Sequence, residues 1–440
     1  MVRRGLVFVL VCLVLTAGTA YAAAPNDPGW PQQWHLRTIH ADKAWTKSKG
    51  SGVVVAVVDT GVDRSHPDLQ GRLVQGIDLV DNDTNPDDEQ GHGTFMAGLI
   101  AASTGNVDGV ASVAPLAKIM PVRVLKDDGT GSPSVVAKGI DWAVAHGAKV
   151  INLSLAQEPI NGGGGGVGNL FADQSMDDAI THAAASGVVV VAAAGNNFNT
   201  GGAPATSYDA TRSGIIVVGA STKTERRAAY SNYGSGLDVL APGGGSSSNF
   251  STSSCQSNSP VVSTWWNPGT GSSAYGSGCG TSMAVAHVAG IAALLRARGY
   301  SNASAVRRIE DTAVDLYTAG RDDQSGYGRV DAAAAVGATG TVVKPKPRPK
   351  PRTQSPNPPR PVGAAGGAKP AVKGTKFVPR GTTSSVPTPI QNLTLASAVP
   401  FASPLDPKLH LIAFALALAV GVGVAQVMAR QRVRGATRSG

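Results

Sequence analysis

Residues 53–58, Val-Val-Val-Ala-Val-Val, form an unbroken β-branched run that ends at Asp59-Thr60-Gly61. A strand with no polar alternation has to be covered on both faces, as in a parallel sheet flanked by helices. Runs of the same kind recur at 118–124, 149–155, 188–194 and 215–218, with helix-like stretches between them at 91–102, 132–146 and 176–185. This alternation predicts an α/β domain, a doubly wound and mainly parallel sheet with helices on both faces. In such sheets functional residues collect at the carboxyl ends of the strands. Asp59, Ser154 and Asn196 stand at three of those ends. Two segments look like insertions: 157–173, with five consecutive glycines, and 243–278, rich in Ser and Gly and carrying Trp265 and Trp266. Either reads as the rim of a cleft or as a surface excursion.

Ser282 lies in Gly-Cys-Gly-Thr-Ser-Met-Ala, just ahead of an apolar run from 283 to 295 that reads as a buried helix. A serine there sits near the positive end of the helix dipole, where oxyanions are stabilised. Taken alone, Thr-Ser before a helix reads as an N-cap.

The ends of the chain have a different character. Arg3 and Arg4 precede an apolar run and two small-residue cleavage sites, so residues 1–24 read as a signal peptide, with an uncleaved anchor as the alternative. Residues 341–408 carry 7 Lys and 4 Arg against one acid, Asp406, and are rich in Pro, Ser, Thr and Gly. They are expected to be a disordered, semi-rigid basic linker. Residues 409–429 hold no Lys, Arg, Asp or Glu and have the length of one transmembrane helix. Four arginines in 430–440 place the tail in the cytoplasm. A removable sorting tail is the alternative. Of the net charge of +9, residues 341–440 contribute +14 and the first 340 residues −5. The acidic body argues against a nucleic-acid partner. The layout predicts a single-pass protein of the cell membrane with residues 25–340 outside the cytoplasm. Cys255 and Cys279 would then face an oxidising compartment, where a disulfide or two free thiols can be read. The linker suits anionic wall polymers or lipid headgroups.

Acyl transfer by serine needs a nucleophile, a base, an acid that orients the base, and donors for the oxyanion. One candidate exists for each. Asp59 closes the first strand, His92 stands in Gly91-His92-Gly93-Thr94 at a helix start, Ser282 brings the hydroxyl, and Asn196 brings a side-chain amide at a strand end. The order Asp, His, Ser is one known arrangement of the triad. Each residue alone has an ordinary reading as a turn or cap, but four together are hard to attribute to chance.

Here the chain resembles the subtilisin-like serine proteases. The blocks are Val57-Val58-Asp59-Thr60-Gly61-Val62, Gly91-His92-Gly93-Thr94 and Gly280-Thr281-Ser282-Met283-Ala284, with secondary matches at His66-Pro67-Asp68-Leu69 and Gly326-Tyr327-Gly328-Arg329-Val330-Asp331. The resemblance spans about 25–335 and implies a subtilisin-like fold and hydrolysis of protein or peptide substrates without a catalytic cofactor. By carry-over Ser282 is the nucleophile, His92 the base, Asp59 the orienting acid and Asn196 an oxyanion donor. Ser154, Leu155 and Ala156 would pair with substrate backbone, and Gly202 would floor the primary pocket. Asp27, Asp68 and Asn106 match positions that ligate a structural Ca²⁺ in relatives; a diverged loop with no metal is the alternative. The acidic run 81–89 reads as a solvated loop. Three departures stand out: Ala286 replaces a proline in the helix block, Ala156-Gln157 replaces a glycine pair, and the long inhibitory propeptide is missing while the start resembles the mature start of thermitase-type members. A narrower resemblance is to the mycosins, membrane-anchored subtilases of type VII secretion, whose partners would be secretion-machinery subunits. Their role could be partly structural and non-proteolytic.

Overall fold

The computed structural model describes residues 24–155, 174–196, 214–247, 255, 259–338 and the backbone of 388–389. The expected signal peptide up to residue 23, the glycine-rich insertion, Ala156, Gly202, most of the linker, the membrane-span candidate and the tail lie outside the described residues. Among those described, no helix is long and apolar enough to cross a membrane. The chain divides into two units, 1–390 and 391–440, and the second lies wholly outside the described residues.

The β-branched runs become strands β1 (Val54–Asp59), β3 (Lys118–Arg123), β4 (Val150–Leu153), β5 (Val189–Ala193) and β6 (Ile215–Ser221). The short β2 (Ile77–Asp78) and β7 (Val239–Pro242) complete a seven-stranded sheet in the order β2-β3-β1-β4-β5-β6-β7. All of its pairings are parallel. Alternate side chains of each strand go to opposite sides. Val55 and Val57 of β1 join one apolar cluster with Val150, Val191 and Val218, while Ala56 and Val58 join another with Ile151, Val190 and Val217. Both faces are therefore dry, which is why the runs lack polar alternation. Fully burying a side chain of this size contributes roughly 1.5–3 kcal/mol.

The first face is covered by α3 (His92–Ala101) and α6 (Thr281–Arg296), with short helices α1 (Trp34–Thr38) and α2 (Ala41–Ala44) from the amino-terminal segment. Helices α7 (Asn302–Thr312) and α8 (Ala332–Ala335) pack on the same side. The second face is covered by α4 (Pro133–Ala145) and α5 (Gln174–Ala185). Ser132 caps α4 through Val135 N–H, as its position ahead of Pro133 leads one to expect. The topology reverses at β1, which pairs with β3 on one side and β4 on the other. The carboxyl ends of β1 and β4 thus open a crevice at the switch point, where ligands bind in sheets of this kind.

Segment 243–278 is not an unstructured excursion. It contains an antiparallel hairpin, β8 (Val261–Asn267) and β9 (Ser272–Gly278), packed on α3. The Ser263 and Thr264 hydroxyls donate to the carbonyls of Phe95 and Thr94, and Trp265 is fully buried. Polar residues that spend their hydroxyls on helix carbonyls form a buried face without apolar periodicity. The outer edge of β9 pairs with Thr388–Pro389 (β10), two residues of the expected linker. Pro389 has no N–H to give and suits an edge.

Candidate active site

Asp59 is the last residue of β1 and is fully buried. Its Oδ1 lies 2.7 Å from His92 Nδ1 and also accepts the Thr60 N–H at 2.8 Å. Asp59 Oδ2 is buried without a hydrogen-bond partner among the described residues. The carboxylate can only accept, so Nδ1 carries the proton and Nε2 of the neutral ring is the basic nitrogen. His92 opens α3 and its side chain keeps 18% of its exposure. Burial alone would pull the imidazolium down, but the charge and hydrogen bond of Asp59, with Asp88 beyond it, outweigh burial and hold the pKa above its ordinary value. The approach is close. A Cβ on Gly93 would fall 2.0 Å from the Gly61 carbonyl, and Gly91 at φ +107° leads into the helix where a Cβ would strike Trp265 and Trp266. Gly93 lets the His92 turn lie directly on the Asp59 turn, and Gly91 lets the hairpin close on its other side.

Ser282 is the second residue of α6, and Gly280 occupies the cap position without a side-chain cap bond. The N-cap reading of Ser282 is therefore wrong: its hydroxyl leaves the helix and donates to the Ser154 carbonyl at 3.2 Å. In return the Ser154 hydroxyl donates to the Ser282 carbonyl at 3.1 Å, which ties the end of β4 to the first turn of α6. The Ser282 N–H belongs to a helix first turn, where backbone donors lack intrahelical partners and face the positive end of the dipole. Asn196 follows β5, and its Oδ1 accepts both the N–H and the hydroxyl of Thr281, at 2.9 and 3.0 Å. Two donors on one amide oxygen fix the orientation, so Nδ2 is the donor end. That nitrogen lies 3.8 Å from where a Cβ on Gly280 would stand, beside the Ser282 turn. An anion held at this point would meet the amide and the helix N-terminus together.

Residues 50–328 match the subtilase family (peptidase S8), which is well over half of the chain. The chain belongs to the subtilase family of serine endopeptidases. It is 41% identical to thermitase of Thermoactinomyces vulgaris over 71% of this chain and 99% of that protein. It is 37% identical to subtilisin Savinase of Lederbergia lenta over 69% of this chain and 97% of that one. A solved protease structure from Pseudoalteromonas arctica PAMC 21717 superposes with a TM-score of 0.60 at 34% identity, covering 72% of this chain and 99% of the other. The α/β fold read from the strand runs, in the subtilisin-like form that the resemblance implies, is the fold found.

Sequence reasoning missed several residues that hold this subtilase site in place. The buried Tyr230 hydroxyl donates to the Gly243 carbonyl, which also accepts the Gly280 N–H at 3.0 Å. Not missed was Cys279, three residues before Ser282, which is bonded to Cys255, the pairing the sequence offered beside two free thiols. One turn into α6, His287 Nδ1–H donates to the Met283 carbonyl at 2.6 Å, and its Nε2 meets His35 Nδ1 at 2.7 Å. His35 Nε2 then accepts the Val262 N–H. This assignment satisfies every ring nitrogen with both rings neutral. Burial holds His287 down at about 4 and His35 well below its ordinary value. The acidic run 81–89 is not uniformly solvated: Asp88 is 3% exposed and caps α3, a role signalled only by an acid four residues ahead of the helix. Leu155 is buried, and the Ser154 carbonyl accepts from the Ser282 hydroxyl.

The three residues that resemblance assigns to calcium come together. Asp68 is fully buried and Asp27 is 2% exposed. Both Asp27 oxygens accept the Gly105 N–H at 2.9 Å, while Asp68 accepts Asn106 Nδ2 at 3.0 Å and Val110 N–H at 2.8 Å. Burial pushes the Asp68 carboxyl up to about 6 and raises Asp27 as well, and Asp108 adds repulsion to both. Among the described residues no cationic side chain pairs with either acid. Two buried carboxylates with uncompensated charge, next to an amide, fit a hard cation by charge and donor type. No group of three or more His, Cys, Asp or Glu converges among the described residues, so the remainder of such a shell falls to amide and main-chain oxygens.

Proposed function

We propose that this chain cleaves protein or peptide substrates through an acyl-enzyme in which Ser282 attacks, His92 carries the proton and Asp59 orients the ring. Ser282 turns its hydroxyl from the Ser154 carbonyl toward His92 Nε2 when a scissile carbonyl enters. As Oγ bonds to the carbonyl carbon, its proton passes to Nε2, and the buried Asp59 carboxylate stabilises the imidazolium at Nδ1. The carbonyl oxygen becomes an oxyanion between Asn196 Nδ2 and the Ser282 N–H. Nε2 then returns the proton to the leaving amine. Water repeats the sequence and frees the acid. Segment 154–156 receives the substrate backbone, and Gly202 leaves room for a large apolar side chain in the primary pocket.

The observation that carries this reading is the 2.7 Å Asp59–His92 contact in the same crevice as a helix-N-terminal serine and a clamped asparagine amide. Digestion of a peptide library by the purified full chain tests it. Wild-type protein should yield new termini and Ser282→Ala none; equal cleavage by both would sink it. The likeness to thermitase supports a self-standing peptidase over a mycosin-type component of a secretion complex.

The signal-like amino terminus and the span-like segment 409–429 support a secreted enzyme that stays anchored in the cell membrane, with the basic linker holding it out from the surface. Added protease should remove the peptidase domain from intact cells, and its full protection would contradict this placement. Asp27, Asp68 and Asn106 would hold a structural Ca²⁺, neutralising the two buried acids. A chelator should lower the Tm by several degrees and calcium should restore it, whereas an unchanged Tm would remove calcium from the fold.

A further inference from the structure

Asp88 stands four residues before His92, in the loop that leads into α3, and is only 3% exposed. Its Oδ1 accepts from the Thr60 hydroxyl at 2.9 Å, Gln90 N–H at 3.0 Å and Gly91 N–H at 2.8 Å. Its Oδ2 accepts from the N–H and the hydroxyl of Thr94, at 2.9 and 2.6 Å. Burial raises the Asp88 pKa, and the donors that converge on both oxygens work against burial and favour the carboxylate. Both hydroxyls are locked from behind: Thr60 Oγ1 accepts the Gly93 N–H at 2.9 Å, and Thr94 Oγ1 accepts the Asp63 N–H at 2.8 Å.

The first N–H groups of a helix have no partner inside it. At α3 they are shared out within this cluster, with Thr94 going to Asp88, Gly93 to Thr60, and His92 to Gln90 Oε1 at 2.9 Å. Thr60 also reaches the triad acid, because its N–H donates to the same Asp59 Oδ1 that holds His92 Nδ1. One buried carboxylate therefore fastens the turn carrying the base to the turn carrying the acid.

We propose that Asp88 is a positioning residue for the general base: a buried anion that locks the His92 turn onto the Asp59 turn and whose charge favours the imidazolium formed in the reaction. The proposal rests on His92 being the base. The charged groups bearing on His92 are Asp59, from β1, and Asp88. Asp88 itself is faced by the neutral Thr60, Gln90, Gly91 and Thr94, and the hairpin brings up the neutral Trp265 and Trp266. Removing an anion near an imidazole makes it easier to deprotonate. Loss of Asp88 should thus let activity persist to lower pH even as turnover falls.

The test is the pH profile of kcat/KM and the kcat–KM split of the purified full chain, for wild type, Asp88→Asn and Thr94→Val. Asp88→Asn keeps the shape and removes the charge. It should lower kcat about tenfold or more through base misplacement with KM nearly unchanged, and move the acid limb down by ~0.5 pH unit. Thr94→Val removes one donor and keeps the charge, so it should lower the Tm while leaving the acid limb in place. An unmoved acid limb in folded Asp88→Asn, or a loss confined to KM, overturns the proposal; so does an equal shift in Thr94→Val. If Asp88→Asn does not fold, Asp88→Glu takes its place. It should lose turnover with an unmoved limb, and wild-type turnover there would overturn the proposal. A wild-type profile with no acid limb would instead strike at His92 as the base.

Discussion

The two halves of the catalytic crevice are held by different physics. The Asp59–His92 half is fixed by charge. Asp59 and Asp88 are buried carboxylates: Asp59 is held through Oδ1 by Thr60 N–H and His92, Asp88 through both oxygens by donors from the two turns, and their charge bears on the imidazole. The Ser282–Asn196 half is fixed by neutral groups: an amide clamped by Thr281, a tyrosine on the Gly243 carbonyl, a disulfide three residues away, and two neutral histidines behind the first turn of α6. Each arrangement suits its task. The base must change charge during the reaction, so fixed anions next to it stabilise what forms. The nucleophile half must receive a negative oxygen, and buried anions there would oppose it. The first half should respond chiefly to changes of charge and the second to changes of shape.

Three perturbations sharpen that contrast. The largest effect is expected from Asn196→Ala, which removes the amide donor. Turnover should fall about 10²–10³-fold with little change in KM, the size known for the oxyanion asparagine of subtilisin. An unshifted acid limb in steady-state profiles would separate it from Asp88→Asn. Next comes the disulfide. Converting Cys255 and Cys279 together to serine should cost roughly 2–4 kcal/mol of stability and lower turnover less than Asn196→Ala does. Denaturant unfolding with parallel rates reads both. The smallest effect is acid sensitivity of the His35–His287 pair. Both pKa values are depressed in the folded state, so the unfolded chain takes up protons first as pH falls below the ordinary histidine value near 6.5. The stability from this pair is full above that value and is lost as pH falls through the depressed pKa of His287, about 4. His35→Gln should flatten the fall of Tm between pH 6.5 and 4.

How much of this was legible depended on whether the cause was local. Val53 to Asp59 announces a strand buried on both faces because every residue of it is apolar until the functional one. The helix after Ser282 is legible for the same reason. The hairpin 261–278 was hidden because Ser263 and Thr264 are buried against carbonyls of α3, some 170 residues earlier, and nothing nearby in sequence predicts those partners. Asp88 was misread because it sits in an acidic run, and its donors come partly from Thr60, beyond the range of any local pattern. His35 and His287 are 252 residues apart and give no signal of being a pair. The proposed triad and oxyanion amide rest on motif order and family resemblance, since spacing alone offers only separate turns and caps.

The most direct measurement is covalent labelling of the folded full chain by a fluorophosphonate, followed by mass spectrometry of its peptides. The expected result is one adduct, on Ser282, formed faster as pH rises through the His92 titration and absent in Ser282→Ala. A folded wild-type protein that stays unlabelled, or carries its adduct on another serine, would contradict Ser282 as the nucleophile of this site.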